Sequence, residues 1–233
     1  MACVGAIAGA MSALVLANAE PVVIGTTVPH PPYAQRDSRG EIVGFDREIG
    51  DEVCRRAALD CDWVQVRFDL LLPGVASGDL DAAMAGIAVT PARARLVDFT
   101  LPYDIGGDVA EFFGRAGVPA PDRARIAVLA GTIHEDHLRN TGRDARSYGT
   151  TEAVLDALRS GAVDLAFGTF HGQEIDTLAA EGLTVQSLEE VAHAGTAMAV
   201  CKGNDALRQK LDAAITGMLD DGTIDKIAAR WTM

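Results

Sequence analysis

Apolar positions in this chain alternate between two spacings, and the alternation marks out its elements. The run PVVIGTT predicts a first strand, followed by the proline-rich loop VPHPPYAQRDSRG. Phe45, Ile49, Val53 and Ala57 then recur at every fourth position, which draws one face of a helix. CDWVQVRF alternates as a strand, and DLLLPGVASG reads as a short helix closed by Gly78. LDAAMAGIAV predicts the next strand. A β-α-β-α-β order of this kind implies a parallel sheet with helices on both faces.

GGDVAEFFGRAG reads as an extended crossing segment, after which a second rhythm begins. ARIAVLAG, DARSYG, AVDLAFG and LTVQSL predict strands, separated by the helices HEDHLRN, TTEAVLDALRSG and FHGQEIDTLAAEG. Thr150 or Thr151 is the expected N-cap of the second of these helices, and Gly161 its stop. GTAMAVCKG returns as an extended segment. A long helix then carries Leu207, Leu211, Ile215 and Leu219 on one face; Gly222 breaks it, and a last helix carries Ile224, Ile227, Ala228 and Trp231. The expected fold class is α/β in two lobes, each a mainly parallel sheet flanked by helices. Residues 20–112 and 197–233 form lobe 1 and residues 113–196 form lobe 2, with hinge segments near 110–116 and 191–199. A cleft between hinged lobes is where ligands usually settle.

Composition narrows the class. Hydrophobic residues make up 48% of the 233-residue chain, enough for a sizeable core. A formal net charge of −13 argues against nucleic acid as a partner. Residues 1–19 carry no charge and end in Ala17-Asn18-Ala19, an A-x-A cleavage pattern. The expectation is a signal peptide cleaved after Ala19 and a periplasmic mature chain beginning at Glu20. A membrane anchor and a truncated gene start are the other readings of this run, which lacks a positive n-region. Cys3 lies in it. Cys54 and Cys61 stand near a predicted helix end and the next strand start, a return short enough to allow a disulfide. Two ordinary buried thiols are the alternative, and export favours the disulfide. Cys201 is left without a partner and is expected to be a buried thiol.

The stretch MAGIAVTPARARLVDFT carries the most pointed chemistry. An apolar run stops at Thr90-Pro91, and Arg93 falls in the first turn of the helix start that follows. A guanidinium binds a carboxylate through two parallel hydrogen bonds, and open N–H groups at a helix start also favour an anion. A structural salt bridge from Arg93 to Asp98 is the alternative, while Arg95 reads as a solvated surface charge.

GEIVGFDREIGDEVC, DAAMAGIAVTPARARLVDFTLPY and MAVCKGNDALRQKLDAAITGMLDDGTIDKIAARW together resemble the bacterial extracellular solute-binding proteins of the polar amino acid uptake type. These are periplasmic binding proteins of the type II fold that feed ABC importers. The resemblance runs from about Val22 to Trp231, with Arg47 departing from a usually apolar position, and the Cys54 and Cys61 spacing matches a disulfide of some basic-amino-acid binders.

The resemblance implies a monomeric protein without cofactor that captures a small carboxylate-bearing solute and delivers it to an inner-membrane ABC permease. It implies that Arg93 and the backbone N–H of Ala88 hold the carboxylate, joined from the second lobe by Thr132 and the N–H of Ile133. An N-cap at Thr132 is compatible with that role. Phe68 and His30 fall where the family packs apolar or aromatic groups on the ligand, with Tyr33 in the same loop as His30. Core packing for Phe68 and an exposed loop position for His30 are the plainer readings. Thr27 stands where an acid often helps, and Ala85 and Gly86 stand at a small or hydroxyl position whose backbone still serves. Thr169 replaces the acid that usually binds the α-amino group, and Ala88 replaces a hydroxyl residue. The amine half of the site is therefore expected to be depleted, with Glu135 or Glu174 able to move in. Three rival readings remain: a dehydratase of the same fold acting on prephenate- or arogenate-like acids, a sensor domain, and a metal site at His134 and His137. Two histidines fall short of a closed tetrahedral metal site.

Overall fold

A computed structural model describes residues 20–105, 108–170 and 173–231. The expected signal peptide, residues 1–19, lies outside the described residues. The first half contains β1 (Val22–Thr26), a small hairpin of β2 (Gln35–Arg36) and β3 (Ile42–Val43), and α1 (Phe45–Arg56). β4 (Cys61–Gln65), α2 (Phe68–Ser77), β5 (Ala82–Ala83), a 3-10 turn at Arg93–Arg95 and β6 (Asp98–Phe99) follow. Next come β7 (Asp108–Gly114), β8 (Ile126–Leu129), α3 (Ile133–Asn140), β9 (Ala145–Tyr148), α4 (Thr151–Arg159), β10 (Leu165–Gly168), α5 (Gln173–Ala180) and β11 (Thr184–Val191). The chain closes with β12 (Ala199–Val200), α6 (Asp205–Asp220) and α7 (Thr223–Trp231).

Two five-stranded sheets result, one ordered β4-β1-β5-β12-β6 and the other β11-β7-β10-β8-β9. β1 pairs in parallel with β4 and β5, and β8 pairs in parallel with β9 and β10. β12 runs antiparallel to β5 and β6, and β7 antiparallel to β10 and β11. These antiparallel strands are the ones the chain enters as it passes between sheets. The expected α/β fold in two units is thus present, but both sheets are mixed rather than mainly parallel, because the strands that carry the chain between them pair antiparallel.

α1 forms where its sequence repeat demands. Phe45, Ile49 and Val53 are buried on one side, against α6, α7 and β1 residues such as Leu211, Ile215, Ile227 and Ile24. Burying side chains of this size contributes roughly 1.5–3 kcal/mol each. Asp46 and Glu48 in the first turn and Arg55 and Arg56 in the last turn suit the helix dipole. On the opposite face of this sheet α2 buries Phe68, Leu71 and Val75 against Ala83, Ala85 and Ala199, and Gly78 ends it with φ 84°. The second sheet is covered by α3 on one side and by α4 and α5 on the other. Thr150 is the N-cap of α4, accepting from the Ala153 N–H at 3.2 Å.

Two expectations shift. LDAAMAGIAV is a strand only at Ala82–Ala83, because Gly86, at φ 61°, turns the chain out of the sheet. The crossing expected at 110–116 comes earlier: residues 108–114 already form β7 of the second sheet, so residues 108–112 do not belong with the first sheet. Extended character alone did not distinguish a linker from a strand. On the return, Thr196 already pairs with Ala88 and Asp104.

Cys54 and Cys61 are joined as a disulfide between the last turns of α1 and the first residue of β4. Cys201 is half-buried beside the α2 cluster rather than fully buried. The bridge spans a sequence separation of seven residues. Loop-closure entropy for so short a loop is worth about 2.5 kcal/mol. Replacing both cysteines by alanine should lower the free energy of unfolding by about that amount, which denaturant titration of the two proteins will measure.

Candidate functional site

The two sheets face each other across a cavity of about 460 Å³. Its first-sheet wall holds His30, Pro31, Pro32, Tyr33, Phe68, Gly86, Ala88, Arg93 and Asp104. The second-sheet wall includes Val109, Glu111, Leu129, Thr132, Ile133 and His134, with Phe167, Gly168, Thr169, Phe170 and Glu174. The return segment adds His193 and Thr196. The sheets interlock around this space. Ala88 packs into the apolar cluster of the second sheet, and Leu129 packs against that of the first.

Arg93 sits at the junction. Thr90 accepts from the Arg93 N–H at 3.2 Å and starts the 3-10 turn that carries it. The guanidinium donates from Nη1 to the Ala88 carbonyl at 2.8 Å and from Nη2 to the Gly131 carbonyl at 2.9 Å. One carbonyl lies on the first-sheet side and the other between β8 and α3. Arg93 is only 5% exposed, and burial pulls its pKa down to about 10, a shift that Asp136 partly opposes. No carboxylate pairs with it within 4.0 Å among the described residues. The Asp98 alternative fails: Asp98 accepts from the Gly203 N–H at 2.8 Å and lies 3.9 Å from Lys202 Nζ. Arg95 is exposed, as expected. The two side-chain hydrogen bonds of Arg93 go to neutral carbonyls, which do not supply the counter-charge that a buried cation favours.

Ala88 presents its backbone there. Val89 N–H bonds to Gly195 O and Ala197 N–H bonds to Ile87 O, which makes Ala88 and Thr196 a non-hydrogen-bonded antiparallel pair. The N–H and C=O of Ala88 therefore turn away from Thr196. Thr132 caps α3, accepting from the Glu135 N–H at 3.2 Å and donating to Leu129 O at 2.7 Å. The first N–H groups of that helix, Ile133 among them, lack intrahelical partners by construction. Gly131, at φ 78°, must be glycine, since a Cβ there would lie 2.8 Å from the Asp69 Cα of α2.

Phe68 lies with its ring centroid 5.8 Å from the Arg93 guanidinium, and His30 stacks on Tyr33 at 5.3 Å. Two expected residues are elsewhere. Thr27 does not line the cavity and donates its hydroxyl to Val66 O at 2.9 Å. Ala85 is fully buried in the α2 cluster, because one residue beyond it Gly86 takes the cavity-facing position. Thr169 is in the cavity wall, its hydroxyl 3.2 Å from His134 Nε2.

Among the described residues three carboxylates reach the cavity: Asp104, Glu111 and Glu174. Only Glu174 was anticipated. Glu111 lies opposite Gly168 on the neighbouring strand and accepts from the Phe170 N–H at 3.2 Å. Its signal in the sequence is an acid inside the otherwise apolar run DVAEFFG. Glu135 does not move in; it accepts from the Gly131 N–H at 2.7 Å and from the Ser147 hydroxyl. His134 and His137 diverge, since His137 pairs with Glu189 at 2.8 Å outside this cavity.

Comparison with known proteins agrees with this architecture. The family model for bacterial extracellular solute-binding proteins, family 3, matches residues 22–233. The chain belongs to this family. It is 26% identical over 230 residues to the ABC transporter arginine-binding protein 1 of Escherichia coli K12, covering 91% of each chain. It is 27% identical to the histidine-binding periplasmic protein of Salmonella typhimurium, covering 89% of this chain and 86% of the other. Among solved structures, a periplasmic His/Glu/Gln/Arg/opine family-binding protein from Silicibacter pomeroyi in complex with lysine superposes with a TM-score of 0.80. It is 30% identical and covers 90% of this chain and 96% of that one. The family resemblance and the two-lobed type II fold expected from the sequence both hold.

Under the first-sheet wall lies Asp46, fully buried. Burial drives its pKa up to about 7 against hydrogen bonds from the Gly86 N–H and the Tyr103 hydroxyl, which lower it; the nearby Asp104 charge adds to the rise. The unfolded chain releases this proton near pH 3.8 and the folded chain near 7. The stability that Asp46 contributes is therefore complete below pH 3.8 and is lost as pH rises through about 7. Over this window of about three pH units, wild type should lose roughly 4 kcal/mol relative to Asp46→Asn. Denaturant unfolding of both proteins between pH 4 and 8 measures that difference.

Proposed function

We propose that this protein is a periplasmic receptor that captures a basic α-amino acid between its lobes and passes it to an inner-membrane ABC permease. It acts as an exported monomer, without turnover of the ligand. The observation that carries this reading is the buried Arg93, whose guanidinium donates to carbonyls of both walls and pairs with no carboxylate among the described residues. The ligand's carboxylate supplies the anion, with the Ala88 N–H and the α3 start at Thr132 and Ile133 as further donors. Closure then follows from binding, because one ligand group touches both lobes.

The opposite charge is also provided. Asp104, Glu111 and Glu174 give the cavity three carboxylates for ammonium or guanidinium groups, so Thr169 does not leave the amine unmatched. Glu111, placed beside Thr169 by strand pairing, is the leading partner of the α-amino group. Phe68, Tyr33 and His30 cover the ligand's aliphatic stem. Support comes also from relatives named for arginine and histidine and from the lysine-bound neighbour.

A thermal-shift and calorimetric screen of L-arginine, L-lysine, L-histidine and L-glutamine, with prephenate as a control acid, tests this directly. A basic amino acid should raise the melting temperature in proportion to RT ln(1 + [L]/Kd) and be recovered unchanged. Arg93→Ala should weaken its binding by roughly 2–5 kcal/mol, and Glu111→Gln should weaken it less but selectively for ligands bearing an α-amino group. Equal affinity of wild type and Arg93→Ala would refute the assignment.

A further inference from the structure

Asp46 touches the binding cavity through its neighbours and not directly. It is the second residue of α1, and its carboxylate collects two donors from distant parts of the chain. Oδ2 accepts from the Gly86 N–H at 2.6 Å, and Oδ1 accepts from the Tyr103 hydroxyl at 2.9 Å. The backbone beside it holds a third segment: Asp46 N–H donates to Tyr33 O at 3.0 Å and Phe45 N–H to Pro32 O at 2.9 Å. Gly86, Pro32 and Tyr33 line the cavity, and Tyr103 immediately precedes the cavity-lining Asp104.

The close approach of these segments shows what the carboxylate holds together. A Cβ on Gly86 would fall 2.8 Å from the Tyr33 ring, and a Cβ on Gly44 would fall 2.1 Å from Tyr33 O. Gly86 and the Tyr33 ring therefore meet with no spare room, and the bond from Gly86 to Asp46 fixes their separation.

We propose that Asp46 is the positioning residue of the ligand site, a single buried carboxylate that holds Gly86 and the Tyr103–Asp104 segment against the Tyr33 loop. This inference rests on the amino acid-binding reading above. In the structure both the Gly86 N–H and the Tyr103 hydroxyl donate to this one carboxylate, an arrangement in which the ionised side chain accepts both. An asparagine of the same shape replaces the charge-assisted bond from the Gly86 N–H by a weaker neutral one and makes the Tyr103 hydroxyl turn from donor to acceptor. The ionisable groups around Asp46 are Tyr33, Tyr103 and Asp104.

The test compares wild type, Asp46→Asn and Asp46→Ala by amide hydrogen exchange without ligand and by calorimetry with L-arginine. The proposal expects faster exchange at Gly86 in both variants and at least tenfold weaker L-arginine binding at pH 8. It also expects the melting temperature of Asp46→Asn at pH 8 to equal or exceed that of wild type, which separates lost positioning from lost folding. A protonated Asp46, like asparagine, offers the Gly86 N–H only a neutral acceptor and reverses the Tyr103 hydroxyl, so the wild-type advantage in affinity should shrink toward one as pH falls below about 7. Unchanged Gly86 exchange in both variants, or wild-type affinity in Asp46→Asn, overturns the proposal. Exchange needs no ligand, so a wild type that binds none of the amino acids defeats the functional reading and leaves the anchoring of Gly86 decided by exchange alone.

Discussion

The guanidinium of Arg93 donates to two carbonyls that belong to opposite sides of the molecule, Ala88 O and Gly131 O. Much of the architecture around it follows from keeping that buried fork satisfied. The 3-10 turn begun by Thr90 aims the side chain inward. Gly131 must lack a Cβ because the α2 backbone at Asp69 closes against it. The second carbonyl comes from the segment between β8 and α3, so the guanidinium bonds to both walls of the cavity. The neutral carbonyls accept two of its N–H groups, and burial lowers its pKa to about 10 against the partial support of Asp136. Such a group favours states in which an anion is beside it.

The passage of the chain between sheets explains where the remaining polar groups gather. Parallel strands end at the edge where a ligand cleft opens. A segment arriving from the other lobe enters at that edge and so runs against the parallel strands, as β7 and β12 do. Residues just before and at the start of these strands therefore sit at the cleft. Asp104, Glu111, His193 and Thr196 all belong to the two passages, and all line the cavity. The site is built as much from the connections as from the Thr-Pro turn.

That geometry also decides what could be read from residues alone. The helical repeat at Phe45, Ile49 and Val53, the caps at Thr132 and Thr150, and the two sheet-building rhythms are local signals, and each appears in the fold. The turn bearing Arg93 was legible for the same reason. Glu111 was not, because the side of β7 it faces depends on pairing with β10 and β11, which are distant in sequence. Thr27 and Ala85 missed the cavity although each lies near a residue that reaches it. In extended chain a one-residue step reverses the face, and the turn at Gly86 carries the cavity-facing role past Ala85.

Thr169 shows how a residue's place in the chain and its surroundings in space can differ. An acid is absent there, yet Glu111 stands across from Gly168 and accepts from the Phe170 N–H, so a carboxylate reaches the same strand end from the adjacent strand. Chain position and spatial position separate whenever two strands share a wall. The cavity wall carries Asp104, Glu111 and Glu174 together with Arg93, His30, His134 and His193, so acidic and basic groups face the same space. A wall with groups of both signs complements a solute that also carries both signs, which is the physical ground of the reading proposed above.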